Sequence, residues 1–98
     1  MSGTTLSSQG LDPRRKRILF RSWHRGTREM DLLLGRFADA ELPHMSDADL
    51  DVFEVLMEVP DQDLFSWITG KARTPDNYDS AVFRKVVRFH MDRSDPAT

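Results

Sequence analysis

The chain has 98 residues, of which 39% are hydrophobic and 31% charged, with a formal net charge of -2 and no cysteine. That length admits one domain with one core and a thin margin of stability. Lack of cysteine excludes disulfides, thiol catalysis and zinc-thiolate sites, and no apolar run approaches the roughly 20 residues that a membrane helix needs.

The small net charge conceals segregation. From Leu11 to Glu29 seven bases stand against two acids. From Met30 to Thr69 one base, Arg36, stands against ten acids, and from Gly70 to Thr98 six bases stand against four acids. A basic head beside an acidic middle predicts two differently charged faces. A uniformly basic nucleic-acid binder has another pattern.

Met1 to Gly10 is rich in Ser, Thr and Gly and carries no charged side chain. It has neither the arginines of a transit peptide nor the apolar core of a secretory signal. Residues 1–11 therefore read as a disordered tail, and the protein as cytoplasmic. Asp12-Pro13 reads as a helix start, with Asp12 as cap and proline at the first helical position.

The first helix is expected from Pro13 to His24, with Ile18, Leu19, Phe20 and Trp23 as its apolar residues. Arg14, Arg15, Lys16, Arg17 and Arg21 lie mostly away from them. The second is expected from Thr27 to Leu42. Its stripe of Met30, Leu33, Leu34, Phe37 and Ala38 is the strongest helical signal in the chain. Gly35 within it costs up to ~1 kcal/mol against alanine, which predicts a neighbour packed closely there. Pro43 ends it.

Ser46 is the expected cap of a third helix, with Asp49 at the third position and Met45 and Leu50 spaced as a hydrophobic staple. Asp47, Asp49 and Asp51 crowd its positive end. Leu50, Phe53, Leu56 and Met57 form its buried face, and Val59-Pro60 stops it. The fourth helix is short, from Asp61 to Thr69, with Leu64, Phe65 and Ile68 inward, Trp67 at the rim and Gly70 closing the end. The fifth is expected from Asp76 to Met91, with Tyr78 leading in and Val82, Val86 and Phe89 as its seam. No segment alternates with period two. The expected fold is all-α, a compact bundle of four to five short helices over residues 12–92, followed by a polar tail at 93–98.

Little in this inventory suits catalysis. His24, His44 and His90 are scattered over different elements, and none has the spacing of a metal-binding helix. Asp47, Asp49 and Asp51 lack the glycine and glutamate that complete a calcium loop, so helix capping explains them. There is no phosphate loop and no nucleophile elbow. Asp61 and Asp63 could do acid-base work in principle, but the rim of a bundle this small offers little cavity to desolvate them. We expect no catalytic residue, no metal and no enzyme activity. Arg14 to Arg17 with Arg21, Arg25 and Arg28 suggests an alternative, a small helical module binding nucleic acid or another protein. Against it, the second helix offers Asp31, Asp39 and Glu41, which repel a phosphate backbone.

The corner between the first two helices is the least bland feature. Gly26 takes a positive backbone dihedral at no steric cost. If Gly26 caps the second helix, Glu29 folds back to its amide as in a capping box. That reading leaves unexplained why Arg25 and Arg28 both flank the glycine, and why Phe20 and Trp23 precede it. A small residue ringed by Arg and Glu suits a docking point. Pattern alone leaves docking and capping equally open. The docking reading requires the corner to be open to solvent.

The stretch Arg21-Ser22-Trp23-His24-Arg25-Gly26-Thr27-Arg28-Glu29-Met30-Asp31 resembles the signature of the succinate dehydrogenase assembly factor 2 family, the small flavinylation factors of bacteria and mitochondria. Their hallmark, Arg-Gly-x-x-Glu, is met by Arg25, Gly26 and Glu29. Asp61-x-Asp63-Leu64-Phe65-x-Trp67 agrees at the expected distance, and the likeness covers Arg14 to Phe89. Thr27 stands where the family often has methionine, and His24 where it often has a second basic residue. The resemblance implies a chaperone-like factor that binds the flavoprotein subunit of succinate dehydrogenase, and in some bacteria the related fumarate reductase. It implies promotion of covalent FAD attachment to that subunit, with the flavin belonging to the client and no cofactor of the factor's own. It further implies that Arg25, Gly26, Arg28 and Glu29 meet the partner, joined by Arg21, Asp31, Asp63 and Trp67. A monomer that binds neither nucleic acid nor membrane is expected.

Overall fold

In the computed structural model, which describes residues 10–93, the chain forms five α-helices and no strand among the described residues. They are α1 (Pro13–Trp23), α2 (Arg28–Glu41), α3 (Asp47–Met57), α4 (Asp61–Ile68) and α5 (Ala81–Arg93). Short 3-10 turns occupy Leu42–His44 and Asp76–Tyr78. The all-α class and the helix count are those expected. The tails expected at 1–11 and 93–98 lie almost wholly outside the described residues. The chain divides into two compact units, Met1–Leu50 and Asp51–Thr98, with the boundary inside α3.

In the first unit, Asp12 caps α1 by accepting the Arg15 amide, and Pro13 takes the first helical position. Ile18, Leu19 and Trp23 are buried, as are Met30, Leu33, Leu34, Phe37 and Ala38 of α2. Each of the Ile, Leu, Met and Phe side chains taken from water contributes about 1.5–3 kcal/mol. The two helices pack closely at Gly35. A Cβ there would stand 2.3 Å from Cδ2 of Trp23, so the glycine admits the indole face, and the neighbour expected from sequence is Trp23. The indole Nε1 donates to Asp39 at 3.2 Å. Ser22 is fully buried, and its hydroxyl donates to the Ile18 carbonyl at 2.7 Å. Pro43 sits in the 3-10 turn that follows α2.

Arg15 fastens α1 to that turn. Its Nε donates to the Leu42 carbonyl at 2.9 Å, and its Nη2 donates to the Met45 carbonyl. These carbonyls lie at and beyond the end of α2, where the α-helix itself supplies no amide to them, and that of Leu42 also accepts the Met45 amide of the 3-10 turn at 3.3 Å. Ser46 then caps α3 by accepting the Asp49 amide at 3.1 Å, and Met45 and Leu50 are both buried.

In the second unit, Phe53, Leu56 and Met57 of α3, Leu64 and Ile68 of α4, and Val82, Phe83 and Val86 of α5 are buried. Phe65 and Phe89 are half-buried rather than inward, while Phe83 is buried, unlike expectation. Gly70 follows α4 with a φ of +81°, the left-handed conformation that ends many helices. The expected single helix from Asp76 is corrected. Asp76–Tyr78 is a 3-10 turn, and α5 starts afresh because Ser80 caps it, accepting the Phe83 amide at 3.1 Å. A serine hydroxyl competes well for a first-turn amide, and Ser80 stands three residues before Phe83, the spacing of such a cap.

Candidate functional site

The corner between α1 and α2 is built from both sides. On the α1 side, His24 ends the helix, its amide reaching back to the Arg21 carbonyl at 3.3 Å. On the α2 side, Thr27 is the cap, accepting the Met30 amide through its hydroxyl at 3.3 Å. Between them Gly26 adopts a φ of +117°, a region that only glycine enters without strain. No heavy atom lies within 4 Å of the place where a Cβ would stand. The glycine is thus demanded by the backbone turn and leaves open space in front of it.

Asp31 locks the turn. Its Oδ1 accepts the Arg25 amide at 2.5 Å and the Gly26 amide at 3.3 Å. One carboxylate from the first turn of α2 therefore satisfies two amides that belong to neither helix. A charged acceptor on backbone amides makes a strong hydrogen bond, so the corner is held rigid from within. Asp31 is half-buried and spends at least one oxygen on this task. Sequence reasoning placed it among the residues that meet a partner and missed its role as the tie.

The cap assignment bears on Glu29. With Thr27 as cap, Glu29 stands at the second helical position, one short of the place from which a capping-box carboxylate folds back. Of the two readings the sequence left open, the one that makes Gly26 the cap does not apply, since the hydroxyl of Thr27 takes that role. Arg28 and Glu29 are exposed, and neither side chain is bonded to another described residue. Gly26 and Thr27 are exposed as well, while Arg21 and Arg25 are half-buried and partnered.

Of the residues singled out from sequence, the fold brings Arg21, Arg25, Gly26, Arg28, Glu29 and Asp31 to this one corner. Asp63 and Trp67 belong to the second unit. Asp63 is exposed in the first turn of α4, and the half-buried Trp67 ring lies 5.1 Å from that of Tyr78.

Phe20 is a second correction. Read as part of the apolar stripe of α1, it is 63% exposed. Its ring stacks on the His24 imidazole with centroids 3.9 Å apart and planes 16° from parallel. The buried residues of α1 are Ile18, Leu19, Ser22 and Trp23, a face that leaves Phe20 outside. Treating Ser22 as an inward residue would have revealed this.

Among the described residues no group of three or more His, Asp or Glu is placed to hold a metal ion. No helix among them is long and apolar enough to cross a membrane.

Residues 16–90 match the protein family described as "Flavinator of succinate dehydrogenase". The chain is 36% identical over 86 residues to "Succinate dehydrogenase assembly factor 2, mitochondrial" of Dictyostelium discoideum, covering 88% of this chain and 60% of that protein. It is 34% identical over 86 residues to "FAD assembly factor SdhE" of Acetobacter pasteurianus, covering 88% of this chain and 79% of that one. Another "FAD assembly factor SdhE", from Pseudomonas savastanoi pv. phaseolicola, is 37% identical over 76 residues, 76% of this chain and 86% of its own length. No solved structure matches the chain. The match runs through both units and includes the whole α1–α2 corner, and the chain belongs to the family of flavinators of succinate dehydrogenase.

Proposed function

We propose that this chain is an assembly factor that binds the flavoprotein subunit of succinate dehydrogenase and promotes covalent attachment of FAD to it. The observation that carries the reading is the corner itself: exposed Gly26, Thr27, Arg28 and Glu29 on a turn locked from behind by Asp31. A rigid polar patch with open space at its glycine suits close approach by another backbone. The match to flavinators of succinate dehydrogenase supports this choice of client.

The factor acts by position. Holding the client around FAD so that the accepting side chain meets the flavin converts a rare encounter into a standing one. The chain supplies no catalytic group, and the flavin remains the client's. Arg25, Arg28 and Glu29 pair with polar groups of the client, Arg21 supports them, and Gly26 sets the approach distance. Asp63 and Trp67 form a further contact. The interface is polar and reversible, as release of the assembled subunit requires. The factor works as a cytoplasmic monomer and serves fumarate reductase where that enzyme is present. The competing nucleic-acid reading loses Arg15, whose guanidinium is spent on carbonyls of its own chain.

Co-expression of client and factor, scored by in-gel flavin fluorescence, tests this. Glu29→Ala is expected to remove most of the covalent flavin while circular dichroism stays helical. Full flavinylation with Glu29→Ala would sink the reading. At Gly26 any side chain adds backbone strain of about 1–3 kcal/mol. Gly26→Ala and Gly26→Arg therefore serve as a pair: equal destabilisation, but a larger loss of covalent flavin with arginine.

A further inference from the structure

The basic run of α1 is not spent evenly. Arg15 turns inward to the carbonyls of Leu42 and Met45, and Arg14 is half-buried and partnered. Lys16 and Arg17 are exposed, and neither side chain is bonded to another described residue. Lys16 and Phe20 stand four residues apart on one stripe of the helix, with Arg17 beside it, and His24, just past the helix end, extends the stripe by stacking on Phe20. All four are exposed. The stripe runs straight into Arg25 and Gly26.

Phe20 on this stripe is a prepared surface rather than a loose ring. The Nδ1 of His24 lies 2.7 Å from the carbonyl of Phe20 itself, one of the last-turn acceptors that a helix end leaves open. That bond orients the imidazole, and the imidazole in turn backs the phenyl ring. With Nδ1–H donating there, Nε2 is left as the polar atom of the platform. Two side chains are ordered before any partner arrives, so binding them costs less entropy. A rigid aromatic ring bracketed by cations has the anatomy of an interface hot spot.

We propose that the outward stripe of α1, formed by Lys16, Arg17, Phe20 and His24, is a second half of the docking surface. Its occupant is an acidic segment of the client flavoprotein that lays an apolar side chain on the Phe20 ring. This rests on the function proposed above and extends it by residues outside the Arg-Gly-x-x-Glu hallmark. The acids at the end of the stripe favour polypeptide over nucleic acid: Glu29 is exposed at the corner and Asp31 is half-buried there, and both repel a phosphate backbone.

The test uses the full chain and the purified client apoprotein, with affinity and association rate measured at low and high salt. Phe20→Ala is expected to weaken binding about tenfold. Lys16→Glu combined with Arg17→Glu is expected to slow association several-fold at low salt, the deficit shrinking at high salt. Arg36→Glu combined with Lys85→Glu, two exposed cations outside the stripe, makes the same change in net charge and is expected to change little. Circular dichroism and melting confirm that each variant folds. If Glu29→Ala weakens binding but the stripe variants match wild type, the stripe proposal fails and the assembly-factor reading stands. If wild type does not bind the client at all, both fail. Two further arms seek other occupants. A labelled DNA duplex whose retention alone responds to the stripe variants would overturn the proposal in favour of nucleic acid. Sedimentation in which Phe20→Ala alone dissolves a dimer would overturn it in favour of a second copy.

Discussion

Asp31 shows how one side chain decides whether a corner is rigid. Its carboxylate takes two backbone amides, those of Arg25 and Gly26, that would otherwise wait for water. Asp31→Ala leaves them to water and loses two charge-assisted bonds, and a cost of about 1–3 kcal/mol is expected, read as a lower urea midpoint. A parallel fall in covalent flavin would separate rigidity from contact, since Glu29→Ala is expected to lower flavin without lowering the midpoint. Thr27 carries a second lesson. Its hydroxyl is the cap of α2. Thr27→Met is expected to cost about 1 kcal/mol of stability, and Thr27→Ser nearly nothing. Gly35 is a third. Alanine gains helix propensity of up to ~1 kcal/mol, yet its methyl group would meet the Trp23 indole at 2.3 Å. Gly35→Ala is therefore expected to destabilise by about 1–3 kcal/mol, a net loss visible in a thermal melt.

The element that sets the site is α1, because its two ends are tied for different reasons. At its start Asp12 accepts both the amide and the guanidinium of Arg15. The side-chain hydrogen bond from Arg15 holds the Asp12 carboxyl below the usual carboxylate range. A carboxyl whose folded pKa is depressed contributes stability that is present above its unfolded value and lost as pH falls through the folded one. The loss thus begins below about pH 4. Asp12→Asn keeps a good cap but carries no charge, so its urea midpoint is expected to fall less steeply with acid than that of wild type. The position and span of α1, its proline start and its tryptophan were legible as local patterns. Which way Arg15 turns was not, because its acceptors lie 27 and 30 residues away in sequence.

Across the whole molecule the segregation of charge matters more than the net value of -2. Bases concentrate before Glu29 and acids after it, so on the proposed function the chain meets its client with its basic part, and the acidic middle would repel a phosphate backbone. A factor that works by placement has no turnover of its own. Incubated with FAD and without client, the purified chain is expected to acquire no covalent flavin on its own gel band. Fluorescence there would make it a flavoprotein rather than a factor.

Patterns confined to a few neighbouring residues were open to reading without coordinates. The helix caps at Asp12 and Ser46, the α2 stripe, the close neighbour at Gly35 and the hallmark at Arg25, Gly26 and Glu29 all depend on spacing along one turn or two. Where those patterns failed, a contact distant in sequence or a rival local bond had intervened. Phe20 is exposed because Ser22 takes the inward place beside Trp23, and α5 is shortened because Ser80 claims its cap. Glu29 is left unbonded because Thr27 and Asp31 between them meet the amides at the corner. Competition of that kind is settled by which group arrives at hydrogen-bond distance, and only the folded chain brings the competitors within reach.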